Sequence, residues 1–269
     1  KEVMPDTPMA LVFDTAFHST MPPEAYMFAI PYEYYEKYQV RRYGFHGTSH
    51  RYVSHRCAEM MGKPIEDLKI VSCHLGNGSS ITAVKNGKVL DTSMGLTPLD
   101  GFMMGTRSGA LDPSVVTFIA EKENMTPYEM SELLNKKSGL LGISGISSDD
   151  RDVSKAEAEG DERAILAHKM LVYEIKKFIG GYVAAMDGCD AIIFTAGLGE
   201  NQAQHRSNIC KGLTYLGVEL DEELNKQYVG GKGGEISTPN SKVKVFVIPT
   251  NEELVIARDT RDIVERLGK

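Results

Sequence analysis

Short apolar runs without alternation punctuate this chain, separated by stretches whose apolar residues recur at helical spacing. LKIVSCH (68–74), DAIIFTAG (190–197) and VKVFVIPT (243–250) are of the first kind, the pattern of strands covered on both faces. MALVFD (9–14) reads the same way, as a short buried strand ending at Asp14 ahead of a turn with Pro22-Pro23. Asn86-Gly87 between two alternating apolar runs marks a hairpin, so three strands are expected between residues 68 and 92. Thr48-Ser49 is expected to cap a helix to about Met61, stopped by Gly62 and Pro64. Pro113 and Thr126-Pro127 open two more helices, with Glu129 in the first turn of the second. Over 154–186 the apolar residues, among them Leu166, Tyr173, Ile175 and Phe178, cover much of the circumference, which predicts one long helix at the centre of a domain. NEELVIARDTRDIVERL (251–267) predicts a closing amphipathic helix. Residues 138–152 are expected to break regular structure, 230–242 to form a flexible surface loop, and the tyrosines between 26 and 43 to pack onto the core. Buried strands alternating with helices predict an α/β fold.

Composition narrows the function class. A chain of 269 residues, 42% hydrophobic and 25% charged, can build a substantial core, as one large domain or two smaller ones. The net charge of −7 favours a soluble protein acting on small molecules, with neither nucleic acid nor membrane as partner. No apolar run reaches the roughly 18 residues of a membrane span, and no secretory leader opens the chain. Cys57, Cys73, Cys189 and Cys210 are widely spaced, which predicts reduced, mostly buried thiols in a cytoplasmic protein rather than disulfides or a zinc site.

Polar segments cluster at expected strand ends and turns: FDTAFH, GFHGTSH, HLGNGSS, GLGEN and PTNEE, with GTRSGALDP and SSDDRD in loops. In open α/β sheets ligands collect beyond the carboxyl ends of strands. In HLGNGSS, Gly76 and Gly78 permit a tight turn and close approach, and successive N–H groups there can cradle phosphate oxygens. No Walker A motif, GxGxxG fingerprint or protein-kinase set is present. A nucleotide site built from several glycine turns without a P-loop points to the actin-like or sugar-kinase-like ATPase architecture. Phosphoryl transfer needs positioning, a metal and fixed positive charge. Arg107, between Gly105 and Gly109, can grip a phosphoryl group with its guanidinium fork; the structural alternative is an ion pair with Asp112. His46, in a Gly-Phe-His-Gly turn, can donate a hydrogen bond to a developing anion, whereas His50 also suits a capping or surface role. Asp14 at a strand end suits a base or an orienting group for an acceptor or a metal, or else a turn former. Glu252 and Glu253 open the last helix, where acidic residues are ordinary dipole partners.

FDTAFH, RRYGFHGTSH, VSCHLGNGSS, MGTRSGALDP, AGLGEN and PTNEEL together resemble the acetate kinase family, in that family's order, from about residue 9 to the C-terminus. The resemblance implies an actin-like, ribonuclease H-like fold and reversible phosphoryl transfer between ATP and acetate, giving ADP and acetyl phosphate. It implies catalytic roles for Asp14, His46, Arg107 and His74, with Asp14 usually described as a proton donor or acceptor. A carboxylate substrate is already ionised, so positioning or metal-linked electrostatics suits Asp14 better. The resemblance also implies ATP contacts from His74, Leu75, Gly76, Asn77 and Gly78, from Asp149, Asp150 and Arg151, and from Gly197, Leu198, Gly199, Glu200 and Asn201. It implies a small apolar pocket for the acetyl methyl group including Phe45 and Pro98, and Mg²⁺ (or Mn²⁺) held by Glu252, with Glu253 as the alternative ligand.

The matched motifs correspond to the C-terminal two-thirds of that family, and the first residue is Lys1 rather than Met. Residues 18–252 are therefore expected to form the nucleotide-binding and catalytic lobe, with 1–17 and 253–269 as remnants of an N-terminal lobe. An apolar stripe of Leu254, Ile256, Ile263 and Leu267 should then be exposed, and the chain should be poorly active without the missing N-terminal segment of the same protein. The family further implies a homodimer. Two other readings predict different behaviour: a propionate or butyrate kinase, and a non-enzymatic ATP-binding module of the actin or chaperone type.

Overall fold

A computed structural model describes residue 3 and residues 7–268; residues 1–2, 4–6 and 269, at the edges of the two expected remnant segments, lie outside the described residues. The chain runs through α1 (Pro23–Tyr26), α2 (Glu33–Tyr38), α3 (Gly47–Met61), β1 (Lys69–Leu75), β2 (Ser79–Lys85), β3 (Lys88–Thr92), α4 (Pro113–Lys122), α5 (Pro127–Lys136) and α6 (Gly139–Ser144). It continues through α7 (Asp150–Ala158), α8 (Glu162–Met186), β4 (Ala191–Thr195), α9 (Ala196–Asn201), α10 (Ala203–Cys210), α11 (Glu222–Gln227), β5 (Gly234–Glu235), β6 (Lys244–Val247) and α12 (Glu252–Arg266). The strands form one sheet in the order β3-β2-β1-β4-β6-β5. Strands β1, β4 and β6 are parallel, β2 and β3 continue antiparallel from β1, and β5 pairs antiparallel with β6. The expected hairpin forms with φ of +55° at Asn86 and +75° at Gly87, the left-handed pair that matches strand twist.

Side-chain alternation gives the sheet two cores. Val71, Cys73, Ile192, Phe194, Val245 and Val247 face α8, against Leu171, Ile175 and Ile179. Ile70, Val84, Ile193 and Phe246 face α3, against Val53 and Cys57. Burying each such aliphatic or aromatic side chain stabilises the fold by roughly 1.5–3 kcal/mol. The same alternation puts Ser72 and His74 of β1, and Ser80 and Thr82 of β2, on the α3 side; the four are buried, with Ser72 opposite Thr82 and His74 opposite Ser80. A polar quadrant is thus built into the carboxyl end of the α3 face. The thiols of Cys57, Cys73 and Cys210 are buried and all four cysteines are free; burial pushes Cys57, Cys189 and Cys210 up to about 12.

Several expectations are corrected. Residues 9–13 form no strand and Met9, Leu11 and Phe13 are exposed, because no neighbouring strand among the described residues takes up their backbone groups. Thr48 and Ser49 lie inside α3 rather than capping it; the cap position is His46, in the left-handed region at φ +58°. The long helix is two: Gly160 (φ +89°) ends α7, and Asp161 caps α8 by accepting from the Ala164 N–H. Leu166 and Tyr173 of α8 are exposed, so only one face of it is buried. The 138–152 run contains α6 and the start of α7. Segment 230–242 carries β5, with Ile236, Ser237 and Ser241 buried. Tyr32, Tyr34 and Tyr38 lie on the surface, and Tyr34 stacks on Tyr38 instead of entering the core. On α12, Ile256, Ile263 and Leu267 are exposed and Leu254 is half-buried. No helix of the described residues is long and apolar enough to cross a membrane.

Candidate functional site

The N-terminus of α3 is pinned from across the chain. The His46 N–H donates to Asp14 Oδ2 (2.7 Å) and the Gly47 N–H to the Asp14 carbonyl (2.9 Å), so Asp14 supplies the cap that Thr48 and Ser49 do not. Gly47 is required there, since a Cβ would stand 2.3 Å from the Asp14 carbonyl oxygen. This anchor aims the His46 ring over the polar quadrant, where it stacks on His74 at 4.0 Å between centroids. His46 Nδ1 lies 2.8 Å from Ser80 Oγ, which also lies 2.7 Å from His50 Nε2. His50 Nδ1 in turn meets Ser72 Oγ at 2.8 Å, and His74 Nδ1 meets Ser49 Oγ at 2.8 Å. His50 is therefore a buried member of the chain of bonds, neither a cap nor a surface residue. Burial holds His74 down to about 3 and His50 well below the usual imidazole range, with neighbouring rings adding to the effect. His46 is lowered by burial and by the Arg107 charge, while Asp14 pulls the other way. These rings are neutral at physiological pH.

Arg107 arrives from the loop after β3. Arg42 braces the start of that loop through the Thr92, Ser93 and Met94 carbonyls and Asp100 Oδ2. Its end is fixed by the N–H groups of Ser138, Leu140 and Leu141, which donate to Thr106, Met104 and Gly105. Gly105 packs against Asn77 so closely that a Cβ would lie 2.1 Å from Asn77 Oδ1. The Arg107 guanidinium donates to the Pro98 carbonyl (3.3 Å), and Asp112 instead caps α4 by accepting from the Ser114 N–H (2.9 Å), so the Arg107–Asp112 ion pair does not form. Arg107 and His46 converge: a methyl on Gly78 would stand 3.0 Å from Arg107 Nη1 and 3.6 Å from His46 Nε2. Gly76 and Gly78 have no positive φ; they serve by leaving space, and the Gly76 N–H is taken by Ser79 Oγ (3.1 Å) rather than left open.

Beside this convergence lies a cavity of about 540 Å³ lined by Gly76, Asn77, Gly105, Asp149, Arg151, Gly197, Leu198 and Asn201, with Leu140, Ser148, Asp150 and Gln202 completing it. The three expected loops therefore meet. The Arg151 guanidinium bonds Asp149 (Nε to Oδ1, 3.0 Å) and holds its carboxyl down to about 2. Leu75, Gly199 and Glu200 are not part of that lining. The Leu75 side chain is in the core. Gly199 packs on Phe194. Glu200 Oε1 accepts from the Ala196 N–H (2.8 Å) and the Thr250 N–H (3.2 Å), tying the ends of β4 and β6 together. The Asp150 carboxylate is buried, bonded to His205 (2.7 Å) and Gln202. Arg206, fully buried and missed in the sequence, donates to the carbonyls of Gly199, Glu200, Asn225 and Tyr228 and to Asn225 Oδ1. Ala196, at φ +64°, has no sequence signal for that conformation; Glu200 holds it.

Glu252 opens α12 half-buried, and burial together with the Asp14 charge raises its carboxyl. Two carboxylates that repel one another make an oxygen-only donor set, which fits a hard cation such as Mg²⁺ that keeps several waters. Glu253 is exposed. Phe45, half-buried, precedes His46, and Pro98 reaches the site through its carbonyl; both sit next to the convergence point.

The acetokinase family model matches residues 1–258. Acetate kinase of Dictyoglomus turgidum is 61% identical over 263 residues, 98% of this chain and 64% of its own length. Acetate kinase of Thermotoga maritima is 59% identical over 269 residues, covering 100% of this chain and 67% of that protein. The chain thus spans about two thirds of the length of the curated relatives it matches. Among solved structures, Porphyromonas gingivalis acetate kinase superposes with a TM-score of 0.92 at 52% identity, over 94% of this chain and 63% of that one. A propionate kinase from Francisella tularensis gives 0.90 at 45% identity, over 97% and 66%. The α/β architecture is that of the actin-like acetate and sugar kinase class.

Proposed function

The chain belongs to the acetokinase family, and from that premise we propose that it carries the nucleotide-binding and catalytic machinery for reversible phosphoryl transfer between ATP and acetate. The observation that supports this most directly is the meeting of Arg107 Nη1 and His46 Nε2 over Gly78, at the edge of the three-loop cavity. The nucleotide lies in that cavity against 76–78, 149–151 and 197–201. An acetate oxygen attacks the γ-phosphorus in line, the O–P bond to the leaving ADP breaks, and acetyl phosphate forms. Arg107 grips the equatorial oxygens, and its charge grows in value as negative charge spreads over them.

An anion at this point also selects the sense of the hydrogen-bond chain. The Ser72 hydroxyl donates to His50 Nδ1, His50 Nε2–H to Ser80, and the Ser80 hydroxyl to His46 Nδ1. His46 Nε2–H is then aimed at the phosphoryl group. Ser49 does the same for His74, whose Nε2 is a second donor. Asp14 and Glu252 would hold Mg²⁺ (or Mn²⁺), which would supply positive charge to the transferring phosphoryl group. No general base is needed, because the acceptor is already a carboxylate; Asp14 positions His46. Phe45 and Pro98 enclose the acetyl methyl group. The remaining parts of the proposal are a catalytic lobe of residues 18–252 with 1–17 and 253–269 belonging to a second lobe, assembly as a homodimer, and a cytoplasmic setting.

The test is acetyl phosphate formation, trapped as the hydroxamate, from acetate, ATP and Mg²⁺ by full-length protein that includes the N-terminal segment. Acetate is expected to be preferred and propionate partly used, since one extra methylene discriminates by only about 1–3 kcal/mol. Absence of acetyl phosphate, or preference for the four-carbon acid, overturns the proposal. A non-enzymatic nucleotide module would show ATP binding that survives Arg107→Ala and no turnover before it.

A further inference from the structure

A second group of side chains, which phosphoryl transfer does not use, lies beneath the first turn of α7. Asp150, His168 of α8 and His205 of α10 are 4%, 4% and 7% exposed, and one donor atom from each lies within 4.8 Å of the others. Both imidazoles point Nε2 at the same oxygen: His205 Nε2 is 2.7 Å and His168 Nε2 3.2 Å from Asp150 Oδ1. Behind His168, Glu157 Oε2 lies 2.5 Å from Nδ1. That contact places the Nδ1 proton toward Glu157, while Nε2, buried without a hydrogen-bond partner, faces an anionic oxygen, so that a second proton or a metal ion must stand between them. A lone pair aimed at a carboxylate is repulsive unless a positive centre sits between them. A carboxylate behind an imidazole is also the arrangement that orients metal-binding histidines and raises their basicity.

We propose that Asp150 Oδ1, His168 Nε2 and His205 Nε2 bind one divalent transition-metal ion of the zinc class. Two imidazoles and one carboxylate form a donor set suited to Zn²⁺, Co²⁺ or Ni²⁺ and unsuited to Mg²⁺ or Ca²⁺, which take oxygen ligands. The site is therefore chemically separate from the Asp14–Glu252 pair. Ligands at about 2.0–2.1 Å from a tetrahedral ion stand about 3.3 Å apart, so the two Nε2–Oδ1 separations open by tenths of an ångström to admit it. Gln202 steadies the other carboxylate oxygen, and a water from the adjoining cavity, which Asp150 and Gln202 line, completes the shell. Three helices separate in sequence are thereby tied at one point, and Asp149 and Arg151, on either side of Asp150, are fixed at the cavity wall. The ion's role is that of a structural clasp under the loop.

The experiment strips the purified protein with a chelator, then titrates Co²⁺ by its visible absorption and Zn²⁺ against a chromophoric chelator. One equivalent of each is expected, with a rise in Tm and no displacement by excess Mg²⁺. Asp150→Asn and His205→Gln should each abolish stoichiometric binding. Glu157→Gln, at a half-exposed position that tolerates change, should weaken it by about 10–100-fold. His205→Cys should keep Co²⁺ and add a sulfur-to-cobalt charge-transfer band, which a merely structural histidine would not produce. No stoichiometric binding by the wild type, binding unchanged in His205→Gln, or a His168 ring that stays protonated in the presence of Zn²⁺ overturns the proposal.

Discussion

Two buried groups of histidines flank the cavity, and they are in opposite electrostatic states. In one, the ring nitrogens of His18, His46, His50 and His74 hydrogen-bond to hydroxyls, and burial with neighbouring rings keeps the imidazoles neutral. In the other, Asp150 and Glu157 face His168, and its affinity for a proton is raised even though burial opposes it. Residue type is shared and burial is similar, so the partner decides. Hydroxyl partners make a directional relay of neutral rings, suited to presenting a fixed N–H to a substrate. Carboxylate partners make a cation site.

The largest expected break in this comparison lies just outside the first group. Arg107→Ala should lower kcat by about 10³–10⁵-fold with nucleotide affinity little changed, measured by steady-state kinetics and calorimetric ADP binding. His46→Asn, which keeps a residue tolerant of the left-handed backbone, should cost about 10²–10³-fold in kcat. Ser80→Ala leaves both rings but unties the relay; kcat should fall by about 10–100-fold with KM for ATP nearly constant, and stability by about 1–3 kcal/mol. A fall in KM affinity alone would show that Ser80 only packs.

The two groups should also pull stability in opposite directions with pH. His18 and His74 titrate at about 3 in the folded protein and near 6.5 unfolded, so only the unfolded chain takes up protons between those values. Stability should therefore fall as pH drops below 6.5, by roughly 1 kcal/mol per unit for each ring, as read by urea unfolding. His168 has its folded value raised, so in metal-free protein its contribution is complete below 6.5 and is lost as pH rises through the raised value. His168→Gln should remove that smaller loss on the alkaline side.

Local signals were readable and long-range ones were not. The hairpin at Asn86-Gly87, the prolines opening α4 and α5, and the buried runs of β1, β4 and β6 each depend on near neighbours in sequence. Thr126 and Glu129 form a full capping box for the same reason. Residues 9–14 carry an equally apolar pattern, but a strand needs a partner strand, and none among the described residues supplies one. The break at Gly160-Asp161 was hidden by apolar periodicity running through both helices. At the site, the glycine turns announced which loops meet. The hydroxyls that orient the histidines did not, although alternation in KIVSCHL and SSITAVK already sets Ser72, His74, Ser80 and Thr82 on one face. The Asp150–His168–His205 group was invisible because its ligands are scattered through the sequence and only the packing of α7, α8 and α10 gathers them.

Arg206 has a consequence for how this protein comes apart. Its guanidinium is buried with carbonyl and amide oxygens as its hydrogen-bond acceptors, and burial lowers it to about 10, still charged at neutral pH. Five directed bonds join the end of α9 to α11 through one rigid group, and a lysine could satisfy few of them. Exposing any part of that union strands a charge among unpaired carbonyls, so the segment from 199 to 228 should exchange its amide hydrogens as a single block. The loop that lines the cavity would then be released whole or held whole, with no partly frayed state between.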